Sequence, residues 1–282
     1  MKPLTVTVII PAHNRAADLE RSVPSVLNQA EVLELLVVDD GSTDRSREII
    51  ENFRSRDPRI QYFYQNNSGP SSARNFGIRN AQAPFVAFLD SDDEWLPGKL
   101  TKQLDFFKQN PEFLICQTEE IWIRNGKRVN PMKKHQKFGG HIFEQCLPLS
   151  IVSPSCVMMK REFFDRVGMF DESLPACEDY DLWLRTSARF PIGLIDEPHV
   201  IKYGGHPDQR SREFPVMDQF RIKSLVQLIE SDILSDIQKE QAVSELIRKC
   251  RIVQKGSLKR DKMNEAKYYE QLMEKFLTSQ KP

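Results

Sequence analysis

Three clusters of carboxylates carry the chemistry this sequence can do. Asp90-Ser91-Asp92-Asp93 follows an apolar run at 85–89, Asp39-Asp40-Gly41-Ser42 follows another at 35–38, and Glu178-Asp179 precedes an amphipathic stretch at 181–188. Open α/β sheets bind ligands outside the carboxyl ends of their strands, so the first two clusters would stand at such a mouth. Carboxylate oxygens are hard ligands for Mg²⁺ or Mn²⁺, and a divalent cation in turn holds a diphosphate. Alternation in an extended segment puts Asp90 and Asp92 on one side and Ser91 on the other. One of the pair can then ligate an ion while its neighbour orients a ribose or a coordinated water.

The elements that must position these clusters alternate in type. Val6 to Ile10 is wholly β-branched, as in a strand buried on both faces, and Pro11 stops it. Leu19, Val23, Val26 and Leu27 share one helix face. Further strands are expected at 35–38, 60–64 and 85–89, with one helix capped by Ser42 or Thr43 and carrying Ile49, Ile50 and Phe53, another at 73–80 and a third from Pro97 to about Gln109. Beyond Glu112 the pattern changes. Two strands are expected at 113–118 and 121–124, the second turning at Asn125-Gly126 into a hairpin. Residues 130–150 lack periodicity and read as a mobile loop, followed by a strand at 155–159, helices at 163–167 and 181–188, and strands at 192–195 and 199–203. From Pro215 only helices follow, at 217–229, 237–252 and 263–276. The organisation is therefore an alternating α/β half at 1–110, a second half of changed pattern at 111–214 and a helical extension at 215–282.

Composition bounds the function. Forty Lys and Arg balance forty Asp and Glu, so no global basic field argues for nucleic acid. Five cysteines without a CxxC pair read as reduced thiols of a cytoplasmic protein. The start of the chain lacks the pattern of a signal peptide, and no apolar run approaches the ~18 residues of a membrane helix.

Four motifs in order carry a resemblance: Val8-Ile9-Ile10-Pro11-Ala12-His13-Asn14, Val37-Val38-Asp39-Asp40-Gly41-Ser42-Thr43-Asp44, Phe88-Leu89-Asp90-Ser91-Asp92-Asp93, and Glu178-Asp179-Tyr180-Asp181-Leu182-Trp183-Leu184-Arg185. Together they resemble the family 2 glycosyltransferases of the GT-A fold, over residues 4–210. The resemblance implies a Rossmann-like α/β half with a mixed central sheet, and inverting transfer of a sugar from a nucleotide donor with Mg²⁺ or Mn²⁺. It makes Asp92 the direct metal ligand, with Asp90 and Ser91 on the donor. It turns Asp40 toward the base, where a carboxylate accepts the imide N–H of uracil, with Pro11, Ala12 and Asn14 lining the same pocket. His13 stands where many relatives have an aromatic residue; like His135, His141 and His199 it is assigned no role. In the Asn67–Asn75 loop, Gly69 permits close backbone approach. Arg74 either reaches the base or phosphates or is a solvated arginine at a helix start.

On the acceptor side the resemblance makes Asp179 the base that takes the hydroxyl proton and gives Glu178 the sugar hydroxyls. These acids also suit the first turn of a helix, where the dipole favours anions. His206 is either a further metal ligand or a surface residue, and Arg210 a phosphate contact. UDP is the implied nucleotide, ahead of dTDP and GDP, bound by the half at 1–110, and the implied acceptor, bound by the half at 111–214, is a glycan or a lipid-linked glycan used in making cell-surface polysaccharide. The basic cluster Arg248, Lys249, Arg251, Lys255, Lys259, Arg260 and Lys262 reads either as a contact with an anionic leaflet or as a solvated helix face. Leu225, Leu228, Ile229, Ile233 and Ile237 pack on the domain or on a partner subunit, which leaves a homo-oligomer open. Two other functions compete. A sugar nucleotidyltransferase needs a Gly-rich basic loop after the first strand, and Pro11-Ala12-His13-Asn14-Arg15 has no glycine. A non-catalytic nucleotide-sugar-binding or scaffold protein would keep the fold without the chemistry.

Overall fold

The computed structural model describes residues 4–205, 213, 214 and 216–278. Nine strands form one sheet: β1 (Val6–Ala12), β2 (Val32–Asp40), β3 (Ile60–Gln65), β4 (Phe85–Phe88), β5 (Glu94–Trp95), β6 (Ile115–Arg124), β7 (Lys127–Val129), β8 (Val157–Lys160) and β9 (Gly193–Gly204). Their order is β3-β2-β1-β4-β8-β6-β9-β5, with β7 paired to β6. The first four strands are mutually parallel, and β8 runs antiparallel to both β4 and β6. The sheet is therefore mixed, and the change of direction lies next to β4, which ends in the Asp90 cluster.

The β-branched run of β1 is fully buried because helices cover both faces. One face packs α1 (Ala16–Leu27), α2 (Ser46–Arg54) and α4 (Lys99–Gln109) on Val8, Ile10, Leu35 and Val37. The other packs α3 (Pro70–Asn80), α5 (Phe143–Cys146), α6 (Glu162–Val167) and α7 (Glu178–Ser187) on Ile9, Leu36, Val38, Val86 and Phe88. That second core runs on without a break into α8 (Asp218–Glu230), α9 (Asp236–Leu258) and α10 (Met263–Thr278) through Ile222, Leu225, Leu228, Leu246 and Phe276.

Several elements differ from the sequence expectation. The strands expected at 113–118 and 121–124 are the single strand β6, and those at 192–195 and 199–203 are the single strand β9. The gap between those two is bridged because the parallel β6–β9 ladder shifts register at Glu119, which faces Pro198, and resumes at Glu120–Val200. A proline is tolerated at such an irregularity because no ladder hydrogen bond is asked of it. The helix expected from Pro97 starts only at Lys99, after Gly98 in a left-handed conformation. Residues 130–150 are partly ordered, with a 3₁₀ turn at Lys133–His135 and α5. The buried Lys137 pins this segment, donating to the Thr118 carbonyl at 2.9 Å and pairing with Glu120 at 3.1 Å. The hairpin at Asn125-Gly126 is as expected, with both residues at positive φ.

Candidate active site

The ends of β1, β2 and β4 and the first turn of α7 meet around a cavity of about 420 Å³, lined by Pro11, Ala12, His13, Asp40, Arg74, Asp90, Ser91, Asp92, Glu178 and Asp179, with Lys202 at one side. That size suits a small-molecule ligand. The structure therefore gathers nine of the expected residues. His206 and Arg210 lie outside the described residues.

The β2 end is built for rigidity. Asp39 accepts from the Ser42 amide at 2.8 Å and from the Tyr62 hydroxyl at 2.7 Å, as expected of a turn-forming acid. Asp40, 5% exposed, accepts from Gln65 and the Ser68 amide on Oδ1 and from the Gly69 amide on Oδ2, each at 2.8 Å. It thus fixes the loop before α3 as well as facing the cavity. Two expected cavity contacts are placed otherwise. The Asn14 carboxamide turns to the next loop, accepting from the Thr43 amide at 2.8 Å. Gly69, at φ 88°, gives its amide to Asp40 and is not on the cavity wall. His13, assigned no role from sequence, is on that wall. Its Nδ1 lies 2.8 Å from the Asp40 carbonyl. Donation there leaves Nε2 to accept from the amides of Asn14 and Asn67.

Arg74 is not a solvated arginine. It is 5% exposed and forks between Asp90 at 2.7 Å and Glu178 at 2.8 Å, with its guanidinium 5.3 Å from the Phe170 ring centroid. It joins the β4 end to the α7 start, with Glu178 lying 104 positions along the chain from Arg74. Burial works to raise the Asp90 carboxyl, but Arg74 and Lys202 outweigh it and hold Asp90 below the ordinary range. Glu178 lies above its ordinary range because burial, with the nearby Asp179, outweighs Arg74.

Asp93 is fully buried and is the loop's structural acid. Ser155 Oγ donates to it at 2.6 Å and accepts the Asp90 amide at 3.1 Å, and the Trp95 indole donates to the Ser155 carbonyl at 2.8 Å. Burial, opposed by Lys202, raises the Asp93 carboxyl well above its usual value. Lys202 lies 3.9 Å from Asp93 and donates to Ser153 at 3.0 Å, and this acidic surround raises its ammonium despite burial. Sequence reasoning missed Lys202; only the β6–β9 pairing brings it to the Asp90 cluster.

Asp179 accepts from the Ser150 hydroxyl at 2.9 Å and stands, with Lys202 and Pro154, where the main cavity meets a second of about 170 Å³. The second is lined by Glu120, Trp122, His135, Ser150 and Ser153. Asp179 therefore faces two compartments, a geometry that lets one carboxylate touch molecules in both. Just before it, Cys177 caps α7 in a left-handed conformation, φ 63°. Its buried thiol is pushed up to about 12, as are the other four buried thiols, so none is a nucleophile at neutral pH.

The donor set fits a divalent cation of the Mg²⁺ or Mn²⁺ type. Asp90 is committed to Arg74 and Asp93 to Ser155, and Asp92 brings its carboxylate to the cavity wall. Among the described residues no three His, Cys, Asp or Glu side chains form a ready-made cage. That suits an ion held by one protein carboxylate, with ligand phosphates and water completing its shell.

A mixed sheet with a cavity at its carboxyl edge and carboxylates on two sides is the architecture of the GT-A fold. The family model for glycosyl transferase family 2 matches residues 7–168, more than half of the chain, and the chain belongs to that family. It is 46% identical over 186 residues to the putative teichuronic acid biosynthesis glycosyltransferase TuaG of Bacillus subtilis, covering 65% of this chain and 71% of TuaG. Against curated Rickettsia glycosyltransferases that it matches at 34–36% identity, the chain spans only 28–32% of their length. Among solved structures, Staphylococcus aureus TarS 1–349 in complex with UDP-GlcNAc superposes with a TM-score of 0.70 at 21% identity, over 87% of this chain and 72% of TarS. The Pyrobaculum calidifontis mannosyltransferase PcManGT, in complex with GDP-Man and Mn²⁺, gives 0.62 at 16% identity, over 97% and 84%. These likenesses establish the fold.

Proposed function

We propose that this chain is a metal-dependent, inverting glycosyltransferase that moves a sugar from a nucleoside diphosphate donor, with UDP as the nucleotide, to a hydroxyl of a glycan or lipid-linked acceptor in polysaccharide synthesis. The observation that carries the reading is the position of Asp179 between two cavities, one walled by the Asp90–Asp92 loop and the other by Trp122 and serines. TuaG's name supports the polysaccharide context, and the UDP-GlcNAc complex of TarS supports the donor class.

Asp40 and His13 lie where a base would be gripped, at the ends of β2 and β1. Asp92 would hold a divalent ion, which when bound offsets the charge gathering on the departing diphosphate. Asp179 accepts the acceptor hydroxyl's proton as that oxygen bonds to the anomeric carbon. The bond from that carbon to the phosphate oxygen breaks, and the nucleoside diphosphate leaves with the electron pair on the opposite face, so configuration inverts. Arg74 keeps the two sides in register through Asp90 and Glu178.

The test is a panel of nucleotide sugars with and without Mn²⁺, followed by thermal shift and by nucleotide release. A nucleotide sugar with Mn²⁺ raises the melting temperature, as any ligand of the native state does. Asp92→Asn loses the metal-dependent part of that shift. Asp179→Asn keeps the shift and loses transfer by ~10²–10⁴-fold, the usual worth of a general base. A wild-type rate in Asp179→Asn would show that the proton goes elsewhere. A protein that binds the donor but never releases nucleotide is the non-catalytic binder.

A further inference from the structure

The stretch from Leu246 to Arg260 contains no acidic residue. Folding divides it sharply. Leu246, Ile247, Lys249, Cys250, Val253 and Ser257 are buried, whereas Arg248, Arg251, Ile252, Lys255, Leu258 and Lys259 are exposed. Lys249 therefore leaves the basic cluster: it is 1% exposed, donating to the Pro148 carbonyl at 2.8 Å and pairing with Asp218 at 3.1 Å. Arg248 pairs with Glu245, and Lys262 faces Glu265 at 3.6 Å. Arg251, Lys255, Lys259 and Arg260 have no ion-pair partner among the described residues. Exposed among these cations are Ile252 at 51%, Leu258 at 46% and, on the turn into α10, Met263 at 63%.

A solvated helix face has no use for such side chains beside unpaired cations. A polybasic helix face carrying apolar side chains is what an anionic bilayer recognises, by charge attraction and by shallow insertion of the apolar groups. The chain's charges cancel in sum, so this attraction is local and oriented. The buried side of α9 is the one tied to the site, for Lys249 anchors it to Asp218, whose neighbour Met217 lines the main cavity.

We propose that the exposed face of α9 from Arg251 to Lys259, with Arg260 and Met263, docks the protein on an anionic lipid bilayer. Ile252, Leu258 and Met263 favour a bilayer over a soluble polyanion, which offers apolar side chains nothing.

The full chain is tested by co-sedimentation with phosphatidylglycerol–phosphatidylcholine vesicles and with vesicles of phosphatidylcholine alone. Binding is expected to the anionic vesicles only, and to weaken as salt is raised. Lys255→Ala with Lys259→Ala should lower the partition coefficient ~30-fold, at ~1 kcal/mol for each cation near the surface. Ile252→Ser should lower it ~10-fold by removing half-inserted apolar surface. Unchanged melting temperatures confirm that the variants fold. No sedimentation with anionic vesicles overturns the proposal, as does binding that neither variant changes. If long-chain polyphosphate binds as tightly as the vesicles and Ile252→Ser changes neither, the face is a soluble-polyanion site and the membrane assignment is wrong. This readout does not depend on glycosyl transfer, so it fails or succeeds separately from the proposed activity.

Discussion

Replacing Arg74 with Gln tests whether the two halves of the site are held together by charge. The variant keeps a hydrogen-bonding side chain, two atoms shorter, and removes the cation and its fork. Asp90 retains the influence of Lys202, but Glu178, already raised by burial, loses the one cation that opposes that rise. Breaking a buried ion pair on one side costs ~3–5 kcal/mol because a buried charge is left uncompensated. At ~2.1 cal/mol/K per residue, the unfolding entropy of 282 residues is ~0.6 kcal/mol/K, so the melting temperature should fall by ~5–8 °C at neutral pH. The pH dependence gives a second reading. In the wild type Asp90 is depressed, so its contribution is present above the unfolded carboxyl value of about 3.9 and is lost as pH falls below it. In the variant Glu178 rises further, and the penalty of a raised acid disappears as pH falls through its folded value. The difference between variant and wild type is therefore greatest near neutrality and narrows toward about pH 4. Circular-dichroism melts across that range measure both. A variant melting within about 1 °C of wild type at pH 7 would refute the claim that Arg74 stabilises the site, since such a shift is under ~1 kcal/mol.

Two further substitutions probe the frame. A Cβ at Gly77 in α3 would lie 2.5 Å from Ile9 Cγ2 in the middle of β1, where Ile9 is fully buried and cannot give. Overpacking costs ~1–3 kcal/mol against ~1 kcal/mol of helix propensity gained, so Gly77→Ala should be net destabilising by ~1 kcal/mol in denaturant unfolding, and a stabilised variant would sink the packing argument. Lys99 is fully buried over the Trp95 ring, and burial brings its ammonium down to about 7. A lysine depressed in the folded state penalises stability at and below that value and ceases to do so as pH climbs to its unfolded value. Lys99→Met should accordingly melt above wild type at pH 7, with the gap closing toward pH 10; parallel pH profiles would contradict it.

The strands of residues 1–110 were readable because burial on both faces leaves only β-branched and aliphatic residues there, as in Val6–Ile10 and Leu35–Val38. The acid clusters were readable because strand ends in a parallel sheet lie on one edge. What stayed hidden depends on distant pairing. Lys202 sits in the strand expected at 199–203, and only the shifted ladder with β6 carries it to Asp93. Arg74 has its partners 16 and 104 residues away, and no local pattern distinguishes such a residue from a solvated arginine. Asn14 and Gly69 were placed near the cavity but turned from it, because the hydrogen-bonding needs of neighbouring turns decide a short side chain's direction. Lys249 was counted with the basic surface because helical spacing alone does not say which face α8 covers.

The unbroken apolar packing from Phe88 through Trp183 to Leu225, Leu246 and Phe276 bears on how such a molecule can be recombined. A graft that swaps only residues up to 214 would set a foreign surface against Ile222, Leu225 and Leu228, side chains shaped for this particular partner. New specificity is therefore more easily reached by exchanging the terminal helices together with the strands beneath them than by treating them as a detachable tail.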